Sequence, residues 1–133
     1  MRSRLLLLVA AACAALVVAA PAMPVTILTG TFRTTITGKS ATLNGTWVMK
    51  IDQFTKFTLK KNGKLQVRGT AAGARGKLAI ADISGPAACK GASAAGAYTY
   101  TLSGNQLKLK ATFDQCSGRK TVLTSHPLTK IAN

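Results

Sequence analysis

The chain has 133 residues, with 18 lysines and arginines against three aspartates, no glutamate and one histidine, for a formal charge of +15. Scattered carboxylates and a lone histidine leave almost no stock for general acid–base catalysis, which needs a group of tunable pKa beside a partner. The length sets the chain among single domains.

The first residues read as an export leader. Arg2 and Arg4 form a basic start, Leu5 to Val18 is a small-apolar run, and Ala20-Pro21-Ala22 offers an A-x-A cleavage site. Cleavage after Ala22 leaves 111 residues, 23–133, as one domain. Ala10-Ala11-Ala12-Cys13 is a rival reading, a lipobox that would make Cys13 a lipidated anchor. Leu5 to Ala20, at 16 residues, is short of the roughly 20 that a spanning helix needs. The expected location is outside the cell or in the periplasm, with an anchored form as the alternative.

Beyond the leader, sixteen cations stand against Asp52, Asp82 and Asp114, a balance of +13. This exceeds the roughly 2–8 charges that solubility asks of a small domain. Two cysteines remain, Cys89 and Cys116. In an oxidising compartment a single bridge is the default, and catalytic or metal-binding cysteines are the minority alternative.

Val25 to Leu28 is a short lead-in. Gly30 to Thr37 alternates Phe32, Thr34 and Ile36 with Arg33, Thr35 and Thr37, which predicts a strand. Gly45 to Ile51 follows, with Trp47, Met49 and Ile51 on one face. Lys56–Lys60 and Lys64–Arg68 pair across Lys61-Asn62-Gly63. Their inner face carries Phe57, Leu59, Leu65 and Val67. After a turn at Gly73–Gly76, Lys77 to Ile83 is the fifth strand, and Ser84 to Ala95, rich in Gly, Ala, Ser and Pro, is the longest loop.

Gly96 to Phe113 is the clearest hairpin. Tyr98, Tyr100 and Leu102 alternate with threonines, Ser103-Gly104-Asn105 turns the chain, and Leu107, Leu109, Ala111 and Phe113 alternate with Gln106, Lys108, Lys110 and Thr112. A last strand is expected from about Arg119 to Thr124. Eight short strands with regular turn signals predict an all-β, eight-stranded antiparallel up-and-down barrel.

The run Gly96 to Leu128 resembles the closing half of the small secreted bacterial lipocalin-like (calycin-type) barrel domains. It matches through Gly96, Tyr98, Tyr100, Leu102, Gly104, Asn105, Leu107, Leu109, Asp114, Cys116, Arg119, Val122 and Leu123. Gly45-Thr46-Trp47 is similar to the G-x-W of lipocalins, in which a late arginine packs over the tryptophan and closes one end. The resemblance implies that Trp47, Arg119 and Asp114 form that closure. Asp114 would either pair with Arg119 or cap the Ser117-Gly118 turn.

The same resemblance implies a non-enzymatic carrier. Met49, Phe57, Tyr98, Tyr100 and Phe113 would line the interior, either as plain core or around a small apolar ligand. Ala71, Ala79, Ala81 and Ala111 are small enough to leave room for one. The alternative partner is written in charge. Lys56, Lys60, Lys61, Lys64 and Arg68 share one outer face, and Lys108 and Lys110 another. Such a surface attracts acidic envelope polymers or lipid headgroups in a salt-dependent way. Specific nucleic-acid recognition is not expected, because no aromatics interleave with the lysines. No metal or cofactor is expected, a monomer is, and inhibition of a secreted hydrolase is a third reading.

Overall fold

The structure is a computed structural model that describes residues 19–22 and 24–133; the leader run with Cys13 lies outside the described residues. Eight antiparallel strands close on themselves in chain order. They are β1 (Gly30–Ile36), β2 (Gly45–Ile51), β3 (Lys56–Lys61), β4 (Lys64–Ala74), β5 (Lys77–Ser84), β6 (Ala95–Ser103), β7 (Gln106–Asp114) and β8 (Leu128–Ala132). One helix, α1 (Ser117–Thr124), sits between the last two strands. Among the described residues every strand pairs with a neighbour on both sides, so none stands as a free edge strand.

Period-two alternation decides what fills the barrel. Phe32, Thr34 and Ile36 of β1 point inward, as do Trp47, Met49 and Ile51 of β2 and Phe57 and Leu59 of β3. Leu78, Ile80, Tyr98, Leu107 and Leu109 complete the ring. Phe32, Ile36, Met49 and Leu107 have no solvent exposure at all, so no water-sized space lies against them. Each such side chain contributes roughly 1.5–3 kcal/mol by leaving water.

Two elements differ from the alternation reading. Residues 119–124 are not a strand but part of α1. Arg119, Val122 and Leu123 are its buried residues, a spacing of three and four that puts them on one helical face. The eighth strand comes later, Leu128–Ala132, after Pro127 blocks continuation of the helix. β7 and β8 consequently share only the pairs Gln106–Thr129 and Leu107–Leu128, while β8 closes the barrel on β1 through Phe32–Lys130 and Arg33–Thr129.

β4 also runs six residues past Arg68. Gly69 to Ala74 offers little side-chain signal, and the reason is crowding. A Cβ on Gly69 would lie 2.0 Å from the Ala81 carbonyl oxygen, so the backbone approach there admits only glycine.

The barrel has two distinct ends. The β2–β3, β4–β5 and β6–β7 turns lie at the one where Pro24 to Thr29 enters, here the entry end. The β1–β2 and β5–β6 loops, the β3–β4 turn and α1 cover the other, the helix end.

Candidate functional site

A bulge in the β6–β7 hairpin sets up the helix end. Ala97 pairs with Phe113 but Tyr98 pairs with Ala111, so Thr112 is left over and the facing of the strand inverts beyond it. Phe113, expected to line the interior, therefore faces outward and is 54% exposed. Asp114 takes the inward place and is buried.

There it joins a buried ion cluster. Arg119, carried inward by α1, grips Asp114 with both edges of its fork: Nη2 donates to Oδ1 at 2.7 Å and Nε to Oδ2 at 2.9 Å. Nη1 lies 2.7 Å from Asp82 Oδ1, an ion pair that leaves this oxygen without a hydrogen bond. The remaining donor positions face the Ala94 carbonyl at 2.8 Å and the Ser93 carbonyl at 3.2 Å. Four of the five guanidinium protons are thereby hydrogen-bonded, and Asp82 meets the group as an ion pair alone. The Tyr98 hydroxyl donates to Asp114 Oδ2.

The disulfide completes the cluster. Cys89 and Cys116 are bonded, and the backbone N–H of each feeds one carboxylate: Cys89 to Asp82 at 2.9 Å and Cys116 to Asp114 at 2.8 Å. Gly96 makes the space. A Cβ there would lie 2.8 Å from Asp114 Oδ2 and 2.9 Å from Arg119 Nη2. Sulfur and carboxylate atoms of Asp82, Cys89 and Cys116 lie within 4.8 Å of one another, but with both sulfurs spent in the bridge they are no thiolate ligand set.

Burial raises the Asp114 carboxyl, but the hydrogen bonds from Arg119, Tyr98 and the Cys116 amide outweigh it and hold the group below the ordinary carboxylate range. Burial, followed by the adjacent Asp114, pushes the Tyr98 phenol well above its usual value. Burial works against the Arg119 charge, yet the two aspartates more than offset it and the guanidinium stays protonated.

Arg119 and Trp47 border the same cleft at the helix end. The cation over the Trp47 ring, however, is Lys61, its Nζ 6.0 Å from the ring centroid. Arg119 turns to the carboxylates instead. Lys61 is pinned by the Ala41 and Thr42 carbonyls at 2.8 and 2.9 Å, and Trp47 Nε1 donates to the Leu43 carbonyl at 2.7 Å. The cleft, about 500 Å³, runs between these groups, Pro86, the disulfide and Val122.

Of the other residues expected at a ligand site, Met49, Phe57 and Tyr98 are packed core. Tyr100 is half-buried in a groove at the entry end. Among the small residues, Ala71 faces in, whereas Ala79 is on the outer face, where Ala72, Ala79, Ala97 and Phe113 form one cross-strand row.

The exterior is nearly all positive. Asp82 and Asp114 are consumed inside with Arg119, which leaves Asp52 as the one carboxylate side chain outside the cluster. Fifteen lysines and arginines between Arg33 and Lys130 are exposed or half-buried. On β1–β4, Arg33, Val48 and Lys60 form one cross-strand row, and Lys50, Thr58 and Arg68 the next. Cations two strands apart in a row are thus separated by about 10 Å, and the rows by about 7 Å. Lys56 and Lys64 extend the patch, and Lys77, Lys108 and Lys110 lie on β5 and β7. Sequence reading missed the contribution of Arg33 and Lys50, because only the closed sheet brings four strands' cations together.

Comparison with protein-family models, with characterised proteins and with solved structures finds no significant match to this chain.

Proposed function

We propose that this is an exported, non-enzymatic binding module that adheres to anionic material of the cell envelope through its cationic exterior, with the barrel as scaffold. The carrying observation is the partition of charge: two of the three aspartates are locked around Arg119, and fifteen cations, exposed or half-buried, stand outside the cluster against Asp52. Such a surface draws polyanions by releasing their counterions, and the affinity falls steeply with salt. The non-enzymatic part is supported by the same cluster, since each of its titratable groups is paired within it rather than poised toward solvent. The barrel is compatible with the lipocalin-like domains that the sequence resembles.

The test is binding to polyphosphate, a soluble linear polyanion, across a salt series. The expected result is a straight fall of log affinity with log salt, shallower when Lys50, Lys60 and Arg68 are replaced by glutamine. Binding that ignores salt would defeat the proposal.

A second reading, a carrier of a small apolar ligand, is favoured by the helix-end cleft, whose volume of about 500 Å³ lies within the range of small-molecule sites. The packed barrel axis argues that such a ligand sits at this end rather than along the axis. Trp47, the sole tryptophan, lines the cleft and would report occupancy by a change in its emission.

A further inference from the structure

Five of the large apolar side chains that stay exposed are gathered at the entry end: Val25, Ile27, Phe54, Leu102 and Ile131. They come from four separate segments, the lead-in, the β2–β3 turn, the end of β6 and the last strand. Ile27 is 57% and Phe54 71% exposed. Val25, Ile27 and Leu102 line one groove of about 940 Å³ together with Arg75 and Lys130. Lys56 and Lys77 open the strands that start at this end. The local acid, Asp52, spends an oxygen on its own turn, accepting from the Phe54 and Lys56 amides at 2.8 Å.

Apolar tips on several loops, ringed by cations that outnumber the one local carboxylate side chain, Asp52, match a surface that is apolar inside and anionic at its boundary. We infer that the entry end docks onto anionic lipid bilayers, with Val25, Ile27, Phe54 and Leu102 entering the acyl boundary and Arg75, Lys77, Lys56 and Lys130 meeting the headgroup phosphates. A soluble polyanion satisfies the cations but gives the apolar tips nothing to enter, which is why a bilayer is the occupant. The inference rests on the cationic reading above and adds the partner and the docking end.

The test uses the exported protein, its N-terminus established by mass, with vesicles of phosphatidylglycerol and phosphatidylcholine and with phosphatidylcholine alone. Phe54→Trp places a reporter on an exposed tip. Its emission is expected to shift to the blue on the anionic vesicles only, while Trp47, at the far end, stays unshifted in the unmodified protein. Ile27→Ser with Leu102→Ser is expected to weaken binding to the anionic vesicles on the order of tenfold, with polyphosphate binding unchanged. An unshifted Phe54→Trp variant on bound vesicles, a shift of Trp47 instead, or serine variants that bind vesicles like the parent would overturn the docking end while leaving the cationic reading intact. Failure to bind vesicles and polyphosphate alike at low salt would overturn both.

Discussion

Arg119 and Asp114, five residues apart, are joined by a two-pronged ion pair that is closed to solvent: 2.7 Å from Nη2 to Oδ1 and 2.9 Å from Nε to Oδ2. The pair exists because two local irregularities cooperate. The bulge at Thr112 turns Asp114 inward, and one turn of α1 brings Arg119 back over it. Together with Asp82 it links β5, β7, α1 and the loop that supplies the Ser93 and Ala94 carbonyls.

Removing the shared cation strands two buried carboxylates. Arg119→Met is therefore expected to cost about 3–5 kcal/mol, the range for breaking a buried pair from one side. Urea unfolding followed by Trp47 emission measures it. A variant as stable as the parent would mean that the cluster contributes no net stability.

The pH response follows from the two shifted groups. Asp114 has a depressed folded pKa, so its contribution is present in full above the unfolded value of about 4 and is lost as pH falls from there through the folded value. Tyr98 has a raised one, so its contribution is complete below the unfolded value of about 10 and is lost as pH rises through the folded value. Stability should be flat with respect to this cluster between those limits and fall beyond each. In a Tyr100→Phe background, phenolate absorbance from Tyr98 should appear together with unfolding rather than ahead of it. A phenolate that forms in the folded protein would refute the coupling.

Reduction of the disulfide should do more than open a 27-residue loop. The loop alone is worth roughly 3–4 kcal/mol in the chain-entropy model. The bridge also fixes the two amides that feed Asp82 and Asp114. Paired Cys89→Ala and Cys116→Ala changes are expected to lower stability by at least that amount and to steepen the acid limb, read by thermal unfolding at pH 7 and near pH 4. An unchanged acid limb would show that the amides hold their positions without the bridge.

Alternation makes most of the barrel legible in the sequence. Inner faces such as Phe32-x-Thr34-x-Ile36 and Trp47-x-Met49-x-Ile51 are plain in the sequence because one side of each strand meets water and the other meets core. What was illegible has a common cause in broken period. The bulge at Thr112 carries no residue signature of its own, so strict alternation placed Phe113 inside and said nothing of Asp114's burial. In 117–124 the β-branched Thr121 and Val122 read as strand, although the spacing of Arg119, Val122 and Leu123 was the available sign of a helix. Lys61 over Trp47 depends on a β2–β3 register, Trp47 opposite Lys61, that no local pattern encodes.

Two glycines near the cluster give opposite expectations. At Gly96 an added Cβ would meet Asp114 Oδ2 at 2.8 Å and Arg119 Nη2 at 2.9 Å, atoms that cannot retreat without breaking their own pairing. Gly96→Ala should cost about 1–3 kcal/mol by overpacking. At Gly118, inside α1, the nearest atom would be Leu43 Cδ2 at 3.8 Å, an ordinary contact. Gly118→Ala should stabilise by about 0.5–1 kcal/mol through helix propensity and a less flexible unfolded chain. Denaturant midpoints of the two variants measured side by side decide the matter. If both lose stability equally, the crowding at Gly96 is not what sets it apart, and the cluster has more room to adjust than its distances imply.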